Sequence, residues 1–169
     1  MAGRILTARR RMGVLTWLES LRISVWVSES TSVWAQPTIL TLHTTGMAVL
    51  VGASWVLDLR LLGIGRQIPI AAFRWVFRAA AIGLILNLPT GLLLFLYRAT
   101  AWGTAIPFLV KMGLVLASAA TLLPLRSLVL RSDPEERGVS TNIRLLAIAS
   151  ILLWSSAVTA GRLLAYLVP

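Results

Sequence analysis

Apolar residues in this chain fall in long blocks, and polar residues gather between them. Residues 37–62 open on Pro37, run through "TILTLHTTGMAVLVGASWVL" and reach Asp58 and Arg60 at the far border. Proline is favoured in the first turn of a helix, so this block reads as a spanning helix with a defined start. A second block covers residues 77–97. The stretch before it, "IPIAAFRWVFRAA", sets Arg74 and Arg78 among aromatic residues and predicts an opening turn at headgroup depth. Further blocks cover residues 106–128 and 143–168, separated by "RSDPEERG", a loop with Pro134 and Gly138 as breakers. Each block has about the 20 residues needed to cross roughly 30 Å of hydrocarbon.

Upstream, "GVLTWLESLRISVWV" alternates apolar positions with Glu19 and Arg22 and carries Trp17 and Trp26. It is too polar to span and predicts an interfacial amphipathic helix or a re-entrant turn lying against the bundle. The expected organisation is all-α. A basic leader occupies residues 1–12, an interfacial segment residues 13–36, and a bundle of four transmembrane helices residues 37–169. The leader "MAGRILTARRRM" lacks an adjoining uninterrupted apolar run, so it does not read as a cleaved signal peptide. No internal repeat is evident, and an inverted-repeat transporter architecture gains no support.

Composition agrees with this pattern. Hydrophobic residues make up 57% of the chain and charged residues 13%, and the mean hydropathy is +0.83. A soluble domain is much more polar. The net charge of +10 would point to nucleic acid in a soluble protein, but these arginines flank apolar blocks and form no single stripe. The expected surroundings are therefore the lipid bilayer and other membrane subunits, with no nucleic acid. No cysteine is present, which excludes disulfides, thiolate metal sites and cysteine nucleophiles.

Basic residues set the expected orientation. Arg60, Arg66, Arg74, Arg78, Arg126, Arg131, Arg137 and Arg144 lie in or beside the first and third loops, against Arg22, Arg98, Lys111 and Arg162 on the other side. The positive-inside rule then places both termini outside the cytoplasm. The leader's Arg4, Arg9, Arg10 and Arg11 argue the other way, but they lie far from the first span.

Small residues four apart are expected to bring the helices together: Ala48 with Gly52, Ala117 with Thr121, Ser156 with Ala160, and Ala157 with Gly161. Pro89 should remove one hydrogen bond from the second span, displace the carbonyl of Ile85 and kink the helix near Asn87 and Thr90. All six acidic residues read as lying outside the spans or at their borders. An ion-coupled carrier generally needs a carboxylate at membrane depth, so this reading argues against a pump or cation transporter.

Basic groups do enter the spans. His43, Lys111 and Arg162 lie at depths that agree within about one helical turn, with Asn87 and Thr90 slightly deeper. Two readings follow. The three form a one-sided pocket for an anion, a lipid headgroup, a quinone carbonyl or haem propionates, or Lys111 and Arg162 snorkel to the headgroups. His43, the single histidine, has two readings as well. It ligates a metal, as the axial ligand of haem b or another tetrapyrrole with Met112 as the partner within reach, or it bonds across helices for packing. Catalytic signatures are absent: no histidine-based nucleophile pair, no H-E-x-x-H and no phosphate loop, "GIGRQ" being loop punctuation.

The segments "WLESLRISVWVSES", "TILTLHTTGMAVLVGASWVLDLRLLG", "TGLLLFLY" and "FLVKMGLVLASAATLLPL" together resemble a family of small bacterial inner-membrane proteins, distantly similar to copper-resistance D-type membrane proteins. The resemblance covers nearly the whole chain after the leader and is most specific in the histidine segment ending "VLDLRLLG". It implies a four-helix inner-membrane bundle with His43 and Lys111 at marked positions. The family's third helix tends to end in an asparagine followed by a phenylalanine and a histidine. Here "TLLPLR" stands instead, with Thr121 and Arg126 at those places. Copper paths need clustered histidine, methionine or cysteine, so the departure weakens that chemistry. The expected function is a non-catalytic subunit that packs against and stabilises a larger energy-converting or electron-transfer complex, holding a lipid, pigment or quinone. The alternative is a small haem-binding electron-transfer protein.

Overall fold

The computed structural model describes residues 12–30, 32, 34–130 and 139–168. Nearly all of the leader and the "RSDPEERG" loop fall outside the described residues. Within them the chain is all-helical, and four helices are long and apolar enough to cross a membrane. This is a multi-pass membrane protein.

The segment expected as an interfacial helix or a re-entrant turn consists of two short helices. Helix α1 covers residues 12–19, the chain turns at Ser20 and Leu21, and α2 follows over Arg22–Glu29. The Ser20 hydroxyl donates to the Trp17 carbonyl at 2.8 Å, drawing the end of α1 into a turn. Ser24, almost fully buried, donates to the Leu18 carbonyl at 2.7 Å and ties α2 back onto α1. The break falls between Glu19 and Arg22, where the apolar pattern is interrupted.

Helix α3 spans Ala35–Leu62, about 42 Å at 1.5 Å per residue. Pro37 sits in its first turn, where backbone N–H groups have no intrahelical acceptor. Gly63 ends it with φ of 111°, a left-handed conformation that costs glycine nothing. The Ile64 N–H reaches back to the Leu59 carbonyl at 3.0 Å, completing the cap. Arg60, expected at the membrane border, is buried instead. Its Nε donates to the Ile68 carbonyl at 2.7 Å and its Nη2 to the Arg66 carbonyl at 3.1 Å, shaping the loop after α3.

A 3₁₀ turn, Ile70–Phe73, leads into α4, Arg74–Leu96, so the second span begins a few residues earlier than the hydropathy pattern indicates. Pro89 lies inside α4, which remains continuous through it. A short helix α5, Ala99–Gly103, precedes α6, Ile106–Leu130. Pro124 is interior to α6, a second proline interruption that the hydropathy pattern does not single out. Helix α7, Thr141–Leu167, starts at Ser140, whose side chain accepts from the Ile143 N–H.

Helix α3 packs extensively on α4 and also on α7, α7 packs on α6, and α4 and α6 barely meet. The core clusters toward the ends of the bundle. Leu50, Leu57, Leu61, Val76, Leu125, Val129 and Trp154 fill one, while Val27, Ile39 and Leu94 join α2, α3 and α4 at the other. There Glu19 accepts from both the N–H and the hydroxyl of Thr100, at 2.8 and 2.6 Å, and caps the start of α5. This anchors α1 over the α4–α6 connection.

Of the expected small-residue pairs, Ala157 with Gly161 faces inward, Ala157 being fully buried and Gly161 lying against the Lys111 side chain of α6, whereas the others are turned partly or wholly outward. Ala48 is exposed, and a Cβ on Gly52 would meet nothing within 4 Å, so this pair faces outward. Ala117 and Ser156 are exposed too. The close backbone approach is made by Gly46 and Gly83. A Cβ on Gly46 would stand 2.9 Å from the Asn87 nitrogen, and one on Gly83 would stand 2.7 Å from the Leu50 nitrogen. Only glycine permits α3 and α4 to lie this close.

Candidate functional site

The polar residues of the first three spans meet where α3 and α4 are closest. His43 precedes Gly46 by one turn, and Asn87 follows Gly83 by one turn, so the glycine contact brings their side chains into the same seam. His43 Nδ1 lies 3.2 Å from the Asn87 carbonyl and 3.3 Å from Thr90 Oγ1. A carbonyl can only accept, so Nδ1 carries a proton, and in the neutral ring the lone pair is then on Nε2. The Thr90 hydroxyl donates to the Leu86 carbonyl at 2.7 Å, which leaves its oxygen free to accept from the ring. In return, Asn87 Nδ2 donates to the His43 carbonyl at 2.9 Å. The pair is reciprocal, with each residue giving one bond and receiving one.

Gly91 completes the seam. A Cβ there would stand 2.9 Å from His43 Cε1 and 3.9 Å from Nε2, so the ring lies against the α4 backbone. Gly83, Asn87, Thr90 and Gly91 follow one another at spacings of four, three and one along α4. That spacing places them on one helical face, a signal visible in the sequence but distributed over residue types that no motif unites.

Lys111 approaches from α6. It is half-buried, and its stem runs past Gly161 on α7, where a Cβ would stand 3.4 Å from Cε and 3.6 Å from Nζ. Among the described residues no acidic group pairs with it. Arg162, although adjacent to Gly161, is exposed on the outer side of α7, because one step along a helix turns the side chain by about 100°. Met112 is half-buried on α6, whose main packing partner is α7, and nothing carries it to His43. His43, Asn87 and Thr90 are thus joined by hydrogen bonds, while Lys111 lies against Gly161 on α7 and Arg162 and Met112 take part in none of these contacts.

Asp58, expected at a span border, stands four residues before the end of α3 and is 0% exposed, turned into the bundle. Hydropathy locates where an apolar run stops, but not which way the last polar residue points. Asp58 lies one turn beyond Ser54 and one turn before Leu61 on α3, both of them fully or almost fully buried. The inward stripe of α3 carries it into the bundle.

Compared with family models, with curated proteins and with solved structures, the chain finds no match. Function must therefore be argued from the geometry.

A neutral imidazole beside an ammonium suits an acceptor-rich group such as a phosphate, a carboxylate or a carbonyl. A tetrapyrrole is served less well. The Nδ1–H on a carbonyl is the orientation an axial histidine needs, but the ring lies against α4, and among the described residues no second strong ligand is placed against it. Among the described residues no three histidine or acidic groups gather as a metal-binding cluster.

Proposed function

We propose that this protein is a non-catalytic subunit of the bacterial inner membrane that packs against and stabilises a larger membrane complex, and that it holds an anionic lipid headgroup at Lys111. The observation that carries the reading is Lys111 itself: a half-buried ammonium on α6, against Gly161 and without an acidic partner among the described residues. A cation at membrane depth is costly unless something negative or acceptor-rich accompanies it. A phosphodiester headgroup meets that need and reaches the site laterally where α4 and α6 barely meet.

The subunit role draws on the outer surface. Ala48 and Gly52 present an open small-residue strip on α3, and α6 turns Leu109, Leu116 and Leu123 outward. Both are surfaces on which a neighbouring transmembrane helix can pack. The exposed Trp17, Trp26 and Trp34 support placing α1 and α2 in the headgroup layer on the non-cytoplasmic side, with both termini there.

Lipid retained through purification is the test. Mass spectrometry of protein extracted in mild detergent is expected to find anionic phospholipid at about one per chain, reduced several-fold in Lys111→Met and unchanged in Arg162→Met. Equal retention in all three proteins would refute the Lys111 site. A Soret band in the purified protein that vanishes in His43→Gln would instead establish the tetrapyrrole reading, which draws on the Nδ1-anchored ring.

A further inference from the structure

The seam between α3 and α7 contains a group that the proposed function does not use. Asp58 is 0% exposed, and neither carboxylate oxygen has a hydrogen-bond partner. Ser150 on α7 is its polar neighbour, and the Ser150 hydroxyl is equally buried and closes no hydrogen bond. The indole N–H of Trp154, one turn further along the same face of α7, is a third buried polar group with no partner. Elsewhere in the bundle buried hydroxyls return to a helix carbonyl, as Ser54 does to Leu50 and Ser118 to Leu114. Among the described residues the other buried group without a partner is the Trp102 N–H on α5.

An acid in such a place requires a positive partner, since a lone buried charge is among the most unfavourable groups a protein can contain. None is supplied by the described residues. Arg60, the nearest cation along α3, is two positions away on a different side of the helix, and its guanidinium is bonded to the Ile68 and Arg66 carbonyls. The surrounding core, Leu57, Leu61, Val76, Ala80, Leu125, Val129 and Ala147 from α3, α4, α6 and α7, contributes no titratable group. His43 and Lys111 belong to the opposite end of the bundle, His43 being about 22 Å away along α3. Asp58 cannot snorkel either, because its side chain is closed in on every side.

We infer that Asp58 and Ser150 form an internal site for one small monovalent cation, a proton or an alkali ion, held between α3 and α7. Either ligand satisfies the same chemistry. A proton on one carboxylate oxygen becomes an O–H that donates to Ser150 Oγ, and an alkali ion takes the carboxylate and the serine oxygen as ligands. The Trp154 N–H is placed to donate into the same layer. With this site, the bundle interior holds a cation-binding carboxylate.

Thermal unfolding of the full chain in nanodiscs, followed by tryptophan fluorescence, distinguishes the two ligands. Sodium is titrated against choline at constant ionic strength, and pH is titrated separately in choline medium, for wild type, Asp58→Asn and Ser150→Ala. A sodium-dependent rise in the wild-type transition that is absent in Asp58→Asn identifies an alkali ion. A pH-dependent shift present in wild type and missing from Asp58→Asn, with no sodium response, identifies a proton. In either case Ser150→Ala is expected to weaken the half-saturating concentration by about tenfold, the scale of one hydrogen bond to a charged group. Should Asp58→Asn fail to fold, infrared spectra of wild type labelled with carboxyl-¹³C aspartate give the same answer. They show either a protonated-carboxyl stretch or a carboxylate stretch that moves with sodium. Wild type and Asp58→Asn responding alike in both titrations, or a labelled carboxylate band indifferent to sodium and pH, would overturn the site.

Discussion

Helix α3 takes part in two seams that treat polar groups in opposite ways. Toward α4 it presents His43 and Gly46, and every polar side chain in that contact is matched: His43 to the Asn87 carbonyl and Thr90, and Asn87 to the His43 carbonyl. Toward α7 it presents Asp58, and there the carboxylate, the Ser150 hydroxyl and the Trp154 N–H all lack partners. The difference lies in backbone separation. Glycines at positions 46 and 83 bring α3 and α4 near enough for side chains to reach main-chain carbonyls. Toward α7 no such glycine pair brings the two backbones together, and the buried polar groups close no bonds. A closely packed seam is self-sufficient, and the other keeps buried polar groups for a small ligand.

The largest effect is expected from forcing the tight seam open. Gly83→Leu places a side chain where even a Cβ would stand 2.7 Å from the Leu50 nitrogen, a contact with backbone that cannot yield. Overpacking of this kind costs about 3 kcal/mol or more, and the protein should fail to give a monodisperse peak in detergent. Gly52→Leu is the control, because a Cβ there meets nothing within 4 Å. Its transition should match wild type, and a Gly52→Leu protein as damaged as Gly83→Leu would show that the outward face is also packed.

Part of this seam was legible from the sequence. The depths of His43, Asn87 and Thr90 were readable because helical rise is fixed, and Pro89 marked the turn where α4 side chains reach across. Helix rotation was harder to read. Gly161 and Arg162 share a depth, yet the first faces Lys111 and the second faces outward. Asp58 likewise stands where the apolar run ends, so composition assigns it to the border, and only its place on the stripe with Ser54 and Leu61 reveals that it points inward. Small residues mislead for the same reason. Ala48 and Gly52 satisfy the four-residue spacing on the wrong side of α3, whereas the working contact pairs single glycines from two helices.

Removing the reciprocal bonds tests how far the tight seam depends on them. Asn87→Leu deletes the amide that donates to His43 and should destabilise the bundle by about 1–2 kcal/mol, the upper range for hydrogen bonds between membrane helices. His43→Gln should cost less, about 0.6 kcal/mol, since glutamine retains a donor for the Asn87 carbonyl. Unfolding in a denaturing detergent series ranks the two. The reverse order, with His43→Gln the more damaging, would mean that the imidazole does more than bond across helices.

The smallest effect separates the two seams most directly. Thr90 and Ser150 are both buried hydroxyls at helix–helix contacts, but Thr90 donates to Leu86 and faces His43, while Ser150 closes no bond. Deleting a satisfied hydroxyl removes one of the two acceptors of the His43 ring, and Thr90→Val should cost about 1 kcal/mol. Deleting an unsatisfied hydroxyl removes a buried polar group that gains nothing in return, so Ser150→Ala in alkali-free medium, at a pH where Asp58 carries no proton, should lie within about 0.5 kcal/mol of wild type. The comparison is made on the apparent unfolding midpoint, with the same medium for both variants. A Ser150→Ala loss equal to that of Thr90→Val would mean that Ser150 is bonded after all. The α3–α7 seam would then be as self-sufficient as its neighbour, and Asp58 would already have its partner.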